Sequence, residues 1–210
     1  MPEENETTQE ETTTEMIVPE ETYMTSGVHI GTRQKTADIR PFIYKVRNDG
    51  LYIIDVKKTD ERIKVAARFL ARYNPERVLA VSVRQYGDRP IKKMSELTGV
   101  HTLEGRFRPG TLTNPTSESY FEPDVIILTD PLADQQALHE AKTVGIPVVA
   151  LCDTNNDTKF IDLIIPTNNK GRRALALVYW LLTREILKEK GKIASYDDFT
   201  VPVEDFEAEF

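Results

Sequence analysis

Hydrophobic and polar positions alternate in blocks along most of the chain. Three apolar runs are continuous, which is typical of strands buried on both faces of a sheet: residues 78–83, 124–128 and 147–151. Two shorter apolar segments, 42–46 and 51–55, flank an Asn-Asp-Gly stretch that favours a hairpin turn. The pattern therefore predicts a β-hairpin followed by buried strands.

Amphipathic segments separate these strands. The spacing of apolar positions predicts helices over residues 57–73, 90–98, 132–144 and 171–190, with a short strand at 161–165 before the last helix. Residues 174–182 are apolar nearly all round, so the last helix should be buried in the core. Alternation of strand and helix favours a doubly wound α/β fold, in which helices cover both faces of a parallel sheet.

Charge is divided unevenly along the 210 residues. The net charge is −7, but residues 1–24 hold eight acids and residues 195–210 hold six, and neither segment has a Lys or Arg. The middle therefore carries all 27 basic residues against 20 acids. We expect an acidic disordered tail over 1–22, a single domain over 23–194 and an acidic tail over 195–210.

The C-terminal tail keeps apolar residues among its acids. This pattern fits a peptide that docks into a basic or apolar groove, but a solvated tail is the favoured interpretation. A basic body between acidic tails is the charge pattern of a nucleic-acid binder, although it equally fits an ordinary Lys- and Arg-rich surface.

Several function classes lack the residues that they need. Cys152 has no partner for a disulfide, and the three His residues are too far apart in sequence to suggest a zinc site, so we expect no metal and no cofactor. The N-terminus resembles neither a secretory signal nor a transit peptide, and no apolar run is long enough to cross a membrane. We expect a cytoplasmic protein.

An enzyme that binds a nucleotide or a sugar phosphate is the alternative. Asp130 and Asp153 stand at the ends of two predicted strands, where α/β proteins bind ligands, and residues 170–173 open the last helix. However, the segment 105–110 has phosphate-loop glycines without the Lys, and each Asp also begins a turn, which is the simpler role.

Polar segments between the predicted elements suit RNA better. Guanidinium groups neutralise phosphates, aromatic rings stack on bases, and hydroxyl or amide groups bind sugar and phosphate. Segment 105–115 places Phe107 between Arg106 and Arg108. The candidate RNA-binding residues are His29, Thr32, Arg33, Gln34, Lys35, Arg40, Arg84, Gln85, Tyr86, Arg106, Phe107, Arg108, Thr111, Thr113, Asn114, Asn168, Asn169, Lys170, Arg172 and Arg173.

The start of the last helix is the most unusual of these segments. Lys170, Arg172 and Arg173 lie at the positive end of the helix dipole, where cations are unfavourable unless an anion is bound. A phosphate would supply that anion. Alternatively, these side chains form ordinary ion pairs with Asp153, Asp157 or Asp162.

Several of these segments, in this order, resemble the small-subunit ribosomal protein S2 family in its archaeal and eukaryotic branch. The similarity covers about residues 23–191, and the matching stretches are 27–31, 40–44, 47–55, 82–87, 105–107 with 109–115, 145–154 and 168–182. Bacterial members carry a long helical hairpin after the segment that matches residues 112–114. Here residue 115 is followed closely by the strand at 124, which leaves no room for that hairpin.

The resemblance implies a flavodoxin-like, three-layer α/β/α fold with a mostly parallel sheet and an N-terminal extension that contains the hairpin. It also implies a non-enzymatic protein at the boundary of head and body of the small ribosomal subunit, near the messenger exit side. Its expected partners are small-subunit rRNA and neighbouring ribosomal proteins, with no membrane and no small-molecule substrate.

Overall fold

The computed structural model describes residues 16–209. It contains a two-stranded antiparallel hairpin and a five-stranded sheet in which every strand pair is parallel. The strands are β1 (Ile43–Val46), β2 (Tyr52–Ile54), β3 (Val78–Ser82), β4 (His101–Glu104), β5 (Val125–Leu128), β6 (Val148–Cys152) and β7 (Leu163–Pro166). The helices are α1 (Glu20–Ser26), α2 (Val56–Ala71), α3 (Gln85–Thr98), α4 (Gln135–Val144) and α5 (Arg172–Glu189).

The strand order β4-β3-β5-β6-β7 is the flavodoxin-like order. Every residue of β3, β5 and β6 is buried, as the continuous apolar runs predict for central strands. Helices α2, α3 and α5 pack on one face of the sheet, while α4 and the segment after β4 cover the other. The predicted three-layer fold with its N-terminal hairpin is confirmed.

Helix α5 is the centre of the first helical layer. It packs against both α2 and α3, and its residues from Ala174 to Tyr179 are all buried. A helix that is apolar nearly all round fits only where neighbours cover most of its surface. The position predicted for this helix is therefore confirmed.

Two elements differ from the sequence-based prediction. Helix α3 begins at Gln85 and not at residue 90. Proline favours the first turn of a helix, which suggests a start at Pro90, but Pro90 lies inside this helix. Strand β4 is absent from the prediction. It is an edge strand whose residues are exposed or half-buried, so it shows no apolar run, and its parallel pairing with β3 defines it.

Both predicted tails are shorter than the acidic composition suggests. Ile17 is buried, its N–H donates to Asp60, and its carbonyl oxygen accepts from Arg184. Residues 1–15 lie outside the described residues. At the other end, Phe206 is buried against α3 and α5, and Ala208 is buried as well. The prediction of a disordered tail is therefore wrong from Ile17 onward, and the prediction of a solvated C-terminal tail is wrong at Phe206 and Ala208, because these apolar side chains complete the core.

Two absences concern only residues 16–209. No helix in this part of the chain is long and apolar enough to cross a membrane. Within the same range, no group of three or more His, Cys, Asp or Glu side chains is arranged to hold a metal ion. Cys152 is buried at the end of β6, and burial raises the pKa of its thiol.

Candidate functional site

The carboxyl ends of β3 to β7 form one edge of the sheet, which we call the carboxyl edge. Asp130 and Asp153 follow β5 and β6 there, and both are buried. Arg84, at the end of β3, donates to Oδ2 of Asp130 through Nε at 2.6 Å and Nη2 at 2.5 Å. Lys170 donates to Oδ2 of Asp153 at 2.6 Å. Each carboxylate is thus neutralised by a cation of the same chain, as buried charges require.

Two asparagines join these ion pairs into a network. Asn156 donates to Asp130 at 2.9 Å and accepts from the backbone N–H of Asp153 at 2.7 Å. Asn169 donates to the side-chain oxygen of Asn156 at 3.0 Å and to the carbonyl of Leu151 at 2.9 Å. The network therefore ties together the ends of β3, β5, β6 and β7, and it makes a rigid base for the loops above it.

Asp134 supports the same edge from the start of α4. Its carboxyl group accepts from the backbone N–H groups of Val83 and Asp130, at 2.8 and 2.9 Å. Burial raises the pKa of Asp134 to about 7, although the two N–H groups act in the opposite direction. Its role is to hold the turn after β3 against the turn after β5.

The segment that carries His29 to Thr36 crosses from the hairpin to the carboxyl edge. It pairs with β2 at Ile30 and then binds Thr154, whose hydroxyl contacts both the N–H and the hydroxyl of Thr32 at 2.9 Å. Gly31 is required here, because a Cβ atom would lie 2.4 Å from a methyl carbon of Thr154.

This anchoring divides the predicted residues of the segment into two groups. The side chain of Thr32 is occupied by internal hydrogen bonds, and His29 is half-buried, with a pKa that burial lowers. The side chains of Arg33, Gln34 and Lys35 are exposed, and Lys35 lies over the ring of Tyr52 at 4.9 Å. Only this second group is available to a partner.

The loop after β4 carries the arginine pair. Arg106 and Arg108 are exposed, as predicted, whereas the side chain of Phe107 is only 5% exposed and packs with Leu112 in the core beneath α4. The base stacking predicted for Phe107 is therefore wrong, because the core beneath α4 covers the ring. Thr111 is also buried, and its hydroxyl donates to the carbonyl of Arg108 at 2.7 Å.

Glu140 of α4 organises this loop. One carboxylate oxygen accepts from Gly110 N at 2.8 Å, and the other accepts from Leu112 N at 3.0 Å and from the Thr113 hydroxyl at 3.2 Å. Burial alone would raise the pKa of Glu140, but these hydrogen bonds and one from Gln136 outweigh it and lower the pKa. The carboxylate holds the loop in the conformation that exposes both arginines.

The basic residues at the start of α5 are paired with carboxylates from other parts of the chain. Lys170 reaches Asp153, as the ion-pair interpretation predicts, while Arg172 and Arg173 approach Glu207 of the C-terminal segment at 2.7 and 3.6 Å. Asp157 and Asp162 instead bind the backbone of residues 159 and 148. Carboxylates of the chain therefore bind these three basic side chains, for which the helix dipole argument predicts a bound phosphate.

The two asparagines before α5 are structural. Asn168 accepts from the N–H groups of Lys170 and Gly171 and donates to the carbonyl of Gly27. Asn169 is buried within the carboxyl-edge network. Direct RNA contact by the Asn169 side chain is therefore excluded in this conformation, because the surrounding chain covers it.

The remaining candidates lie on the surface. Gln85 and Tyr86 are exposed in the first turn of α3, Arg40 is exposed before the hairpin, and Asn114 is exposed in the loop after β4. Asn114 holds that loop through a hydrogen bond from Thr116 at 2.7 Å. The exposed cations among the predicted residues are Arg33, Lys35, Arg40, Arg106, Arg108 and Arg173.

Known proteins are similar to this chain over most of its length. The family model described as ribosomal protein S2 matches residues 23–120 and 116–189. The chain belongs to the ribosomal protein S2 family. Among its relatives, small ribosomal subunit protein uS2 of Thermoplasma acidophilum is 60% identical, covering 93% of this chain and 98% of that protein. The uS2 protein of Staphylothermus marinus is 54% identical, covering 100% and 97%.

Membership of the S2 family confirms the resemblance found in the sequence. The loop between β4 and β5 contains turns and no helix, in agreement with the absence of a helical hairpin after residue 114. Sequence reasoning missed Glu140 and Thr154, which position the exposed loops of this family member. Both are polar residues that are buried in the structure. The sequence gives no sign of this burial, because it depends on neighbours that are distant in sequence.

Proposed function

We propose that this S2 family member is a structural constituent of the small ribosomal subunit, at the ribosome in the cytoplasm, and that it is not an enzyme. We further propose that it binds small-subunit rRNA and neighbouring ribosomal proteins through the carboxyl edge. Family membership supports the ribosomal role. The observation that supports the carboxyl edge as the RNA surface is the exposure of Arg106 and Arg108 on a loop that Glu140 holds in place.

The mechanism is phosphate neutralisation by loops on a rigid base. Guanidinium groups form charge-assisted hydrogen bonds with phosphate oxygens, and preorganised loops lose little entropy on binding. The exposed cations of residues 33–40 extend the surface toward the hairpin. Phosphate contacts of this kind give position and affinity without reading sequence.

The alternative of a nucleotide- or sugar-phosphate-binding enzyme has no support. Asp130 and Asp153 are occupied by Arg84, Asn156 and Lys170, so neither carboxylate is available as a base or as a ligand for a metal ion. The relatives are named as ribosomal proteins.

The test is sedimentation of cell lysates through sucrose gradients. We expect the wild-type chain to travel with small subunits at moderate salt and to be released at high salt, because phosphate contacts dominate. Arg106→Ala with Arg108→Ala should lower the bound fraction by about fivefold at intermediate salt.

The control removes two exposed arginines on the opposite face of the sheet, Arg68 in α2 and Arg72 directly after it. Arg68→Ala with Arg72→Ala makes the same change in charge and should leave the bound fraction unchanged. Equal losses in the two variants would remove the loop from the RNA surface. A wild-type chain that stays at the top of every gradient would overturn the ribosomal role.

A further inference from the structure

Phe160 has an unfavourable backbone conformation. Its φ of 66° is the only positive value at a non-glycine residue in the described part of the chain. It occupies the third position of a turn in which Ile161 N–H donates to the Thr158 carbonyl at 3.1 Å, a position that favours Gly or Asn. A bulky residue in this region is rare and costs free energy, and such residues concentrate at functional sites.

The core gains little from this strain. The Phe160 side chain is 46% exposed, whereas its neighbour Ile161 packs against the core beneath α4. Glycine or asparagine at position 160 would allow the same turn and the same burial of Ile161. The strain therefore serves to present an aromatic ring at the surface.

Cations and amides surround the ring. The ammonium nitrogens of Lys142 and Lys159 lie 3.8 and 5.3 Å from its centroid. On one side, a recess of about 440 Å³ is lined by Gln135, Gln136, Leu138, His139, Lys142 and Phe160. A second recess of about 230 Å³ shares the ring and includes Asp157 among its lining residues.

We propose that Phe160, Lys142 and Lys159 form a binding site for an unstacked RNA nucleotide. The base stacks on the Phe160 ring and displaces the Lys142 ammonium from its place over the ring, so that both ammonium groups bind the adjoining phosphates, while the amides of Gln135 and Gln136 face the edge of the base. This site rests on the proposed function. It adds base stacking, a contact that the buried Phe107 does not provide.

Two observations favour RNA over a protein partner. Lysine is depleted in the cores of protein–protein interfaces, whereas lysine beside an aromatic ring suits phosphate and base together. In addition, Gln136 of the recess donates to the same oxygen of Glu140 that accepts from Gly110 N, at 2.8 Å in each case. The recess therefore adjoins the loop of Arg106 and Arg108.

The experiment compares Phe160→Asn with Phe160→Trp in the full-length chain. Asparagine tolerates positive φ, so thermal unfolding of purified Phe160→Asn should occur at or above the wild-type temperature, which separates binding from folding. Small subunits that carry each variant are then isolated on gradients, and their rRNA is probed with a reagent that acylates flexible 2′-hydroxyl groups.

We expect Phe160→Asn to remain in subunits and to raise the reactivity of one or a few adjacent nucleotides by severalfold, and Phe160→Trp to restore protection. Reactivity that is unchanged at every nucleotide overturns the stacking site. If a neighbouring protein is lost from those subunits at the same time, the ring contacts that protein instead. Loss of the wild-type chain from subunits would instead refute the proposed function, so the two failures are distinguishable.

Discussion

Glu140 shows how a single buried residue controls an exposed surface. Its two carboxylate oxygens accept from two backbone N–H groups and one hydroxyl of the loop after β4. Neither arginine of that loop contacts Glu140, yet both depend on the conformation that it holds. Conformational control of this kind is invisible in the sequence, because Glu140 lies far along the chain from the loop that it binds.

Replacement of Glu140 should loosen the loop without changing its charged groups. In Glu140→Gln, the amide nitrogen must face a backbone N–H, so one buried donor is left unsatisfied. We expect a loss of about 1–3 kcal/mol in the free energy of unfolding. Urea unfolding of the purified chain measures it, and Glu118→Gln, at an exposed position, is the matched control.

The pH dependence of this contribution has a definite sign. The pKa of Glu140 is lower in the folded chain than its ordinary value of 4.5, so the folded state binds fewer protons. The stabilisation is therefore present above pH 4.5 and is lost as pH falls through the lowered pKa. The difference between wild type and Glu140→Gln should shrink over that acidic range, and a difference that stays constant would contradict this role.

At the scale of elements, the C-terminal segment 201–208 belongs to the fold. Trp180 of α5 donates to the carbonyl of Val201 at 2.7 Å, and Phe206 is fully buried against α3 and α5. The segment also brings Glu207 to Arg172, and Glu209, which follows it, pairs with Arg89. The segment therefore docks, as its pattern of apolar residues among acids suggests, and the groove that it enters is formed by α3 and α5 of the same chain.

Truncation of Phe206 tests whether this segment is part of the core. We expect Phe206→Ala to lower the free energy of unfolding by about 3–5 kcal/mol, because a fully buried aromatic side chain is removed. Denaturant unfolding of the purified chain gives the value. Tyr44→Ala removes an aromatic ring that is 70% exposed and should change stability by less than about 0.5 kcal/mol. Similar effects in the two variants would show that the segment is not packed in solution.

At the scale of the whole molecule, charge is sorted by burial. Asp130 and Asp153 of the carboxyl edge are buried and paired with Arg84 and Lys170, while the cations of residues 33–40 and of the Arg106 loop remain at the surface. A chain with a net charge of −7 therefore presents basic loops to a partner. Local field and not net charge decides which partner approaches this edge.

Salt dependence reports the number of phosphates that this edge neutralises. The logarithm of the binding constant falls linearly with the logarithm of salt concentration, with a slope of about −0.9 for each phosphate on a duplex and about −0.7 on a single strand. For rebinding to small subunits stripped by high salt, Arg106→Ala with Arg108→Ala should make that slope less negative by about 1.5. The Arg68→Ala and Arg72→Ala control should keep the wild-type slope. An unchanged slope in the loop variant would exclude phosphate contacts by these arginines.

Local pattern determined much of this protein. Continuous apolar runs predicted the central strands, the Asn-Asp-Gly turn predicted the hairpin, and residue order along the chain indicated the family. These features depend on side-chain periodicity and turn chemistry, which neighbouring residues decide. The exposed arginines of the loop after β4 were predictable for the same reason, since alternation in an extended segment places Arg106 and Arg108 on one side.

Only the tertiary structure decided which polar residues are available. Phe107, Thr111 and Asn169 are buried, Lys170 and Arg172 have carboxylate partners, and Phe160 is held at the surface. The ion pairs depend on contacts between residues distant in sequence, such as Arg172 with Glu207, and the position of Phe160 depends on the packing of its neighbour Ile161 against the core. Burial and ion pairing are properties of the assembled core, so a linear pattern could nominate these residues but could not assign them to the interior or to a partner.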